Sequence, residues 1–374
     1  MAALGRVIVE AIVLEYGRPE LLRRLSHPGW FQAFGAVMGM DWHSSGITTA
    51  VIGALKRGLA PVTHELGIYV CGGRGRSSRQ TPAELLAVAE RTGLDGAALV
   101  RTSRLIAKVD SAAIQDGHDL YLHGFFVTRE GQWCVVQQGM RPESKTARRY
   151  HWLSESLKSF VEEPHTAIDG VAGTTPILNL TDARAAAARD AERQLVLRGP
   201  DFVLDQLRRL GSVSLPLPHI DLPMHHDVRA ENIDMKRLGG ALRAAAERAP
   251  VDFPELLLTP GVGARTVFAL ALVADVLYGA PSRFTDPARH SLAHGGKDGH
   301  PYPVPLRVYD ATLTVLRRAV ERAKLGNETK LFALRKLDQE ARRLEASVKH
   351  VDFAAFIEAE REASPDLGGR TVRS

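Results

Sequence analysis

One stretch, PELLLTPGVGARTVFALALVADVLYG at residues 254–279, limits the folding options of this chain more than any other. Leu256, Leu257 and Leu258 form a short apolar run. Thr259-Pro260 interrupts it, because proline lacks a backbone donor and crowds the preceding turn. Gly261 and Gly263 can take positive φ and carry no Cβ to obstruct a neighbour. A long apolar helix then runs from about Ala264 to Tyr278, stopped by Gly279 and by Pro281 beyond it. The pattern predicts a short helix, a tight Gly-Val-Gly turn and a second helix.

Such a turn has a physical use. The first amides of the second helix have no intrahelical acceptor and carry the positive end of its dipole, so an anion is favoured there. Arg265 and Thr266 fall in the first turn and can add side-chain contacts. The segment resembles the helix-hairpin-helix motif of DNA repair proteins, in the form Leu-x-Gly-Val-Gly-x-(Lys/Arg)-Thr, with Thr259 where that form has leucine. The resemblance implies that Gly261, Val262, Gly263, Arg265 and Thr266 hold the backbone of duplex DNA without reading its bases. An ordinary turn in a buried helix pair is the alternative.

With 374 residues the chain has room for two or three domains. Its 45% apolar and 24% charged residues fit a soluble globular protein. The formal charge of +5 is compatible with a nucleic-acid partner and does not demand one. Two cysteines, Cys71 and Cys134, are too few for a disulfide framework or a paired-cysteine zinc motif, so a reducing, cytoplasmic setting is expected. The first twenty residues read as an amphipathic helix and not as a signal peptide, and no apolar run is long enough to span a bilayer.

The expected fold class is a mixed α/β amino-terminal domain at 1–170 followed by a mainly helical, hairpin-bearing domain at 251–374. Between them, 171–250 reads as a helical segment and a Pro-rich connector. Residues 4–16 and 19–25 look helical. TPAELLAVAERTG predicts a helix with Thr81 as its N-cap and Glu84 completing a capping box. DLYLHGFFVTREGQWCVVQQGM predicts a β-hairpin turning at Arg129–Gln132. Amphipathic helices are expected over 305–362 and a frayed tail after them.

Several polar clusters are candidates for chemistry. Lys108, Asp110, Asp116, His118, Asp119 and His123 precede or enter the hairpin, and Gln137 and Gln138 end its second strand. An acid before a hairpin and a polar pair on the next strand loosely resembles metal-dependent restriction-type nucleases. That likeness implies phosphodiester hydrolysis at Asp110, Asp116, Asp119 and His123, with a divalent metal, Mg or Mn, as cofactor and its ligands left open; the Glu-x-Lys of such enzymes is absent. His118 and His123 could instead bind a transition metal. Asp41-Trp42-His43-Ser44-Ser45-Gly46 sets an acid, a base and hydroxyls in apolar surroundings, for chemistry or for a structural cluster. Arg148 and Arg149, beside Tyr150 and Trp152, could grip phosphate and stack on bases. Gly72–Ser78 is a basic glycine-rich loop without P-loop spacing. His294–Pro303, with Lys297 and His300, is another candidate phosphate contact. Asp286, beyond the helical hairpin, matches the catalytic aspartate of helix-hairpin-helix glycosylases, and reads equally as an N-cap ahead of Pro287. Arg265 would stand near their Schiff-base lysine and cannot act as an amine, so that likeness implies a monofunctional enzyme.

The segments WFQAFGAVMGMDWHSSGITT, KVDSAAIQDGHDLYLHGFFV, VVQQGM with ARRYHWLSE, and AHGGKDGHPYPV resemble an uncharacterised family of archaea and bacteria, domain of unknown function 763. Members begin with a Gly-Thr-Ala-Asp-type segment lying before the start of this chain, and a site drawing on it would be incomplete here. The resemblance implies kinship and no reaction. The functions that follow, in order, are a metal-dependent nuclease of DNA repair or processing, a monofunctional glycosylase, a non-enzymatic nucleic-acid binder and a small-molecule enzyme.

Overall fold

The computed structural model describes residues 1–40, 44–142, 144, 146–170, 177–212, 234–288, 314–321 and 330–337. Four helices come first: α1 (Ala2–Tyr16), α2 (Arg18–Ser26), α3 (Pro28–Val37) and α4 (Ile47–Leu59). A single turn, α5 (Thr63–Leu66), leads into β1 (Ile68–Arg74), α6 (Arg76–Thr92) and α7 (Gly96–Lys108). One π-helical turn at Val109–Ala113 closes α7, followed by β2 (Ile114–Gln115), β3 (Asp119–Thr128), β4 (Trp133–Arg141), β5 (Thr146–Leu153), β6 (Ala167–Asp169) and β7 (Leu178–Asn179). Helices α8 (Ala186–Leu197), α9 (Pro200–Ser212), α10 (Met235–Arg248), α11 (Phe253–Leu258) and α12 (Ala264–Tyr278) complete the named elements.

The centre is a five-stranded sheet in the order β1-β3-β4-β5-β6, antiparallel throughout, with β2 and β7 pairing separately. Side chains alternate along each strand, so the sheet has two buried faces. Tyr69, Cys71, Phe125, Val127, Val135, Tyr150 and Trp152 join one cluster with α6 to α12. Ile68, Leu122, Phe126, Cys134, Val136 and Leu153 join the other with α1 to α4. The second cluster also takes in Leu316, Ala319, Val320, Ala333 and Leu337 from helical residues 314–321 and 330–337. The fold is thus mixed α/β, with helices on both faces of an antiparallel sheet. The first cluster runs unbroken from Phe125 through Leu195 of α8 to Leu256 of α11 and Leu270 of α12, so the helical hairpin packs into the same core as the sheet.

The expected hairpin at 119–140 is present, and the two leading helices fall where their periodicity put them. The capping box at Thr81 is not: the helix begins at Arg76, with Pro82 inside it. Pro82 has no amide to give the carbonyl of Ser78, and the Thr81 hydroxyl donates to that carbonyl instead at 2.7 Å. Glu84 turns away to accept from Lys56 Nζ at 2.7 Å and from the Gly72 amide at 2.6 Å. The Gly-rich segment is also more regular than a basic loop, since Gly72 and Gly73 still pair within β1, opposite Gly124 and His123, ahead of the closing pair Arg74–Leu122. Asp41–His43, the Pro-rich connector from 213, His294–Pro303 and the tail lie outside the described residues.

Both cysteines are free and buried. Burial pushes the Cys71 thiol up to about 12 and the Cys134 thiol higher still. On α8, Glu192 is fully buried, and neither of its carboxylate oxygens has a hydrogen-bond partner among the described residues. Burial holds its carboxyl well above the usual range, against the smaller opposing pull of Arg189. A buried polar group without partners costs about 1–3 kcal/mol. Glu192→Met, similar in volume and apolar, is therefore expected to raise unfolding stability at neutral pH by that order in urea titration. The gain should shrink in acid, where the carboxyl is protonated in both folded and unfolded chains.

Candidate functional site

Strand register brings the polar residues of the first face into one row. Gly73 pairs with His123, His123 with Gln137, and Gln137 with Tyr150. A bulge at Tyr121 sets this register, because pairing shifts by one residue between Leu120 and Leu122. Its carbonyl accepts from the Gly75 amide at 2.8 Å, which ties the bulge to the entry of α6.

Across from that row lies α7. Leu99, Ser103, Ile106 and Asp110 are all buried, at helical spacing along one side of it. The π-turn then carries Asp110 to the sheet, beside Gln137 of β4 and Trp152 of β5. Its carboxylate accepts from Gln137 Nε2, from Trp152 Nε1 at 3.0 Å, and lies 2.6 Å from His165 Nε2. Gln137 Nε2 also reaches the Ile106 carbonyl at 3.4 Å. Both of those partners are acceptors, so the amide can face them only with its nitrogen. Its oxygen is thereby turned to His123 Nδ1 at 2.6 Å, and Nδ1 must carry the imidazole proton. Nε2 of His123 is left with a bare lone pair, 2.9 Å from Ser103 Oγ. The result is one directed chain: the Ser103 hydroxyl donates to His123, His123 to Gln137, and Gln137 to Asp110. Burial pushes the His123 pKa down, with Gln137 and Asp110 pulling weakly the other way.

This chain opens on a cleft of about 750 Å³ lined by Ser103, His123 and Gln137 at its floor and by Ser78, Arg79 and Arg104 among its walls. Arg79, Arg104 and Asp119 are exposed at it.

Asp116 belongs to a second buried group. It accepts from Tyr150 Oη at 2.6 Å, Arg148 at 3.2 Å and the His118 amide at 2.9 Å. Burial alone would raise this carboxyl, but His118, Arg148 and Tyr150 together hold it below its ordinary value. Arg148 also pairs with Asp286, which caps the Ala288 amide at 2.9 Å. The carboxylate of Asp286 is thus already committed to a cation and to a backbone amide two residues on, and no helix follows it among the described residues. On the opposite sheet face, Arg149 is bound to Asp169 at 2.7 Å, His151 at 2.9 Å and Gln32 at 2.9 Å. Arg148 and Arg149 were expected at a DNA surface; they are 1% and 4% exposed, and buried ion pairs, Arg148 with Asp116 and Arg149 with Asp169 of the adjoining strand, engage them instead. Nor do the four residues expected to carry hydrolysis converge: Asp110 and His123 lie in one network, Asp116 in another and Asp119 at the cleft edge. Among the described residues no group of three His, Cys, Asp or Glu side chains is placed to hold a metal ion. Lys297 lies outside the described residues.

The turn between α11 and α12 forms a separate site. Gly261 has φ +86° and is exposed, Val262 is buried, and Gly263 is extended at φ −149°. Lys108 Nζ, its pKa lowered by burial, donates to the Val262 carbonyl, and Gln115 Nε2 donates to the Ala264 carbonyl at 2.9 Å. The carbonyl side of the turn is thus held by the end of α7 and by β2. On the other side, the amides of Gly263, Ala264 and Arg265 have no acceptor among the described residues. They border a hollow of about 280 Å³ lined also by Arg237, Thr266 and Asp234.

The sequence reading named Asp110, His123 and Gln137 but missed Ser103 and His165. Ser103 was legible as a hydroxyl on the apolar stripe of a helix; His165 follows Pro164 in a polar segment and carries no comparable signal.

Fold and site together define a mixed α/β protein with a buried Ser-His-Gln-Asp relay and a separate amide-lined turn. The chain belongs to the DUF763 family, described as a protein of unknown function, whose model matches residues 1–304. No curated protein and no solved structure matches it.

If the amide of Gln137 fixes the imidazole as described, nitrogen-15 spectra of histidine-labelled protein will show His123 protonated at Nδ1 and bare at Nε2 at pH 6.5. The sign of the linked stability follows. The unfolded chain takes up this proton first as pH falls below 6.5, so the stability owed to neutral His123 is complete above that pH. It is lost towards the depressed folded value, at up to ~1.4 kcal/mol per pH unit. Unfolding curves of His123→Gln should lack this share of the acid slope.

Proposed function

We propose that this protein binds duplex DNA through its phosphate backbone, using the α11–α12 pair as a helix-hairpin-helix clamp, and that it works in DNA repair or processing. One observation carries the reading. Gly263 is extended, a conformation any residue adopts, and a Cβ built on it would meet nothing within 4 Å. The fold itself has no need of glycine there. A phosphate approaching the free amides does, because a side chain would stand in its path.

The surroundings suit an anion. Arg265 is exposed in the first turn of α12, and Arg237 of α10 borders the same hollow. Lys236, Arg243 and Arg248 are exposed on α10 as well. Gly261 packs α10 close to the turn, since a Cβ there would lie 3.4 Å from Ala241 Cβ. Backbone contacts of this kind position a duplex and leave its sequence unread.

Gly263→Ser separates the fold from the binding. Serine is a favoured helix N-cap, so thermal stability should stay level or rise. Affinity for a labelled duplex, followed by fluorescence anisotropy, should fall about tenfold or more, roughly 1.4 kcal/mol. Arg265→Ala should reduce the slope of log affinity against log salt by about one. Undiminished affinity in the folded Gly263→Ser protein would remove the turn from the interface.

A further inference from the structure

We infer that the 750 Å³ cleft is a catalytic site for phosphate esters, with Ser103 as nucleophile and His123 as its general base. This inference does not depend on DNA binding at the α11–α12 turn, which lies in a different hollow with no residue in common.

The argument rests on direction and placement. A serine hydroxyl is a weak nucleophile unless a base receives its proton, and the base must be held in the right tautomer. Here the tautomer is fixed by the chain from Asp110 through Gln137, and the Ser103 hydroxyl has the bare Nε2 as its acceptor at 2.9 Å. Structural serines in helices commonly bond the carbonyl one turn back; Ser103 instead aims across at β3. His123 is 6% exposed and Ser103 4%, yet both line the open cleft, so the pair meets a ligand while its far side stays dry.

The walls choose the substrate class. Arg79 and Arg104 border the cleft, and guanidinium forks match the oxygens of a phosphoryl group. The first turn of α6 contributes Ser78 to the same wall, close to the positive end of that 17-residue helix. Asp119 is the opposing charge among the lining residues.

The chemistry balances without a further reagent. Ser103 Oγ attacks phosphorus, and its proton passes to His123 Nε2. The bond from phosphorus to the leaving oxygen breaks, and that oxygen takes the proton from His123. Water then attacks the phosphoserine while His123 accepts its proton. The phosphorus–Oγ bond breaks, Ser103 recovers the proton, and phosphate or its monoester leaves. Gln137 and Asp110 are positioning residues and touch no reacting atom.

The test uses the full chain and a fluorophosphonate probe, which phosphonylates an activated serine and releases fluoride. Mass spectrometry should find the adduct on Ser103. His123→Ala should slow labelling by at least about 100-fold, the usual worth of a general base. In the unmutated chain the labelling rate should rise with pH and level off with its midpoint below 6.5, which a purely structural histidine would not produce. Absence of an adduct at Ser103, or a rate indifferent both to pH and to His123, would overturn the assignment whatever the stability of the variants. Three chromogenic esters then address the substrate: p-nitrophenyl phosphate, bis(p-nitrophenyl) phosphate and p-nitrophenyl acetate. Turnover of the first marks small phosphomonoesters as the source, turnover of the second phosphodiesters such as a nucleic-acid strand. Either should fall about tenfold in Arg79→Ala and in Arg104→Ala. Turnover of the acetate alone would overturn the phosphate class.

Discussion

The side-chain amide of Gln137 is the constraint on which the rest of the polar interior depends. Placed between a carboxylate on one side and an imidazole on the other, it has no freedom to flip. Asp110 and the Ile106 carbonyl can only accept, so the nitrogen faces them and the oxygen faces His123. From that single orientation follow the tautomer of His123, the direction of the Ser103 hydroxyl and the satisfaction of three buried groups that would otherwise be costly. Helix α7 and strand β4 are joined at this point as firmly by polar geometry as by the apolar residues around it.

Two devices of backbone geometry make the arrangement possible. The bulge at Tyr121 resets the β3 register, placing His123 and not Leu122 opposite Gln137. The π-turn after α7 adds a residue to the helical spiral and swings Asp110 onto the sheet. Sheet alternation then divides the polar residues of neighbouring positions. Gln137 serves the cleft face, while Gln138 reaches the Ser45 carbonyl on the other at 3.0 Å. Arg148 and Arg149 divide in the same way, one towards Asp116 and Asp286 and the other towards Asp169.

How much of this the sequence discloses depends on the range of the interaction. The β-hairpin at 119–141 and the α11–α12 turn are local, written in alternating strand residues and in Pro-Gly-Val-Gly, and both were legible. The start of α6 was misplaced because a proline normally argues against helix interior, and only the Thr81 hydroxyl reverses that. The candidate carboxylates were visible as residues, but their separation into two networks depends on contacts spanning up to 138 positions, as between Arg148 and Asp286. A run of arginines beside aromatics reads as a phosphate surface until strand register assigns one to each face. Ser103 escaped notice because one hydroxyl on an apolar stripe is a faint mark without the histidine that it meets 20 residues later.

The burial of both thiols has a practical corollary. Cys71 and Cys134 are the chain's only cysteines, and the interior keeps them in their unreactive, protonated state. The native protein therefore offers a silent background for thiol-directed spectroscopy. A cysteine installed on the surface would accept a fluorophore or spin label selectively, with no need to strip out the natural ones first.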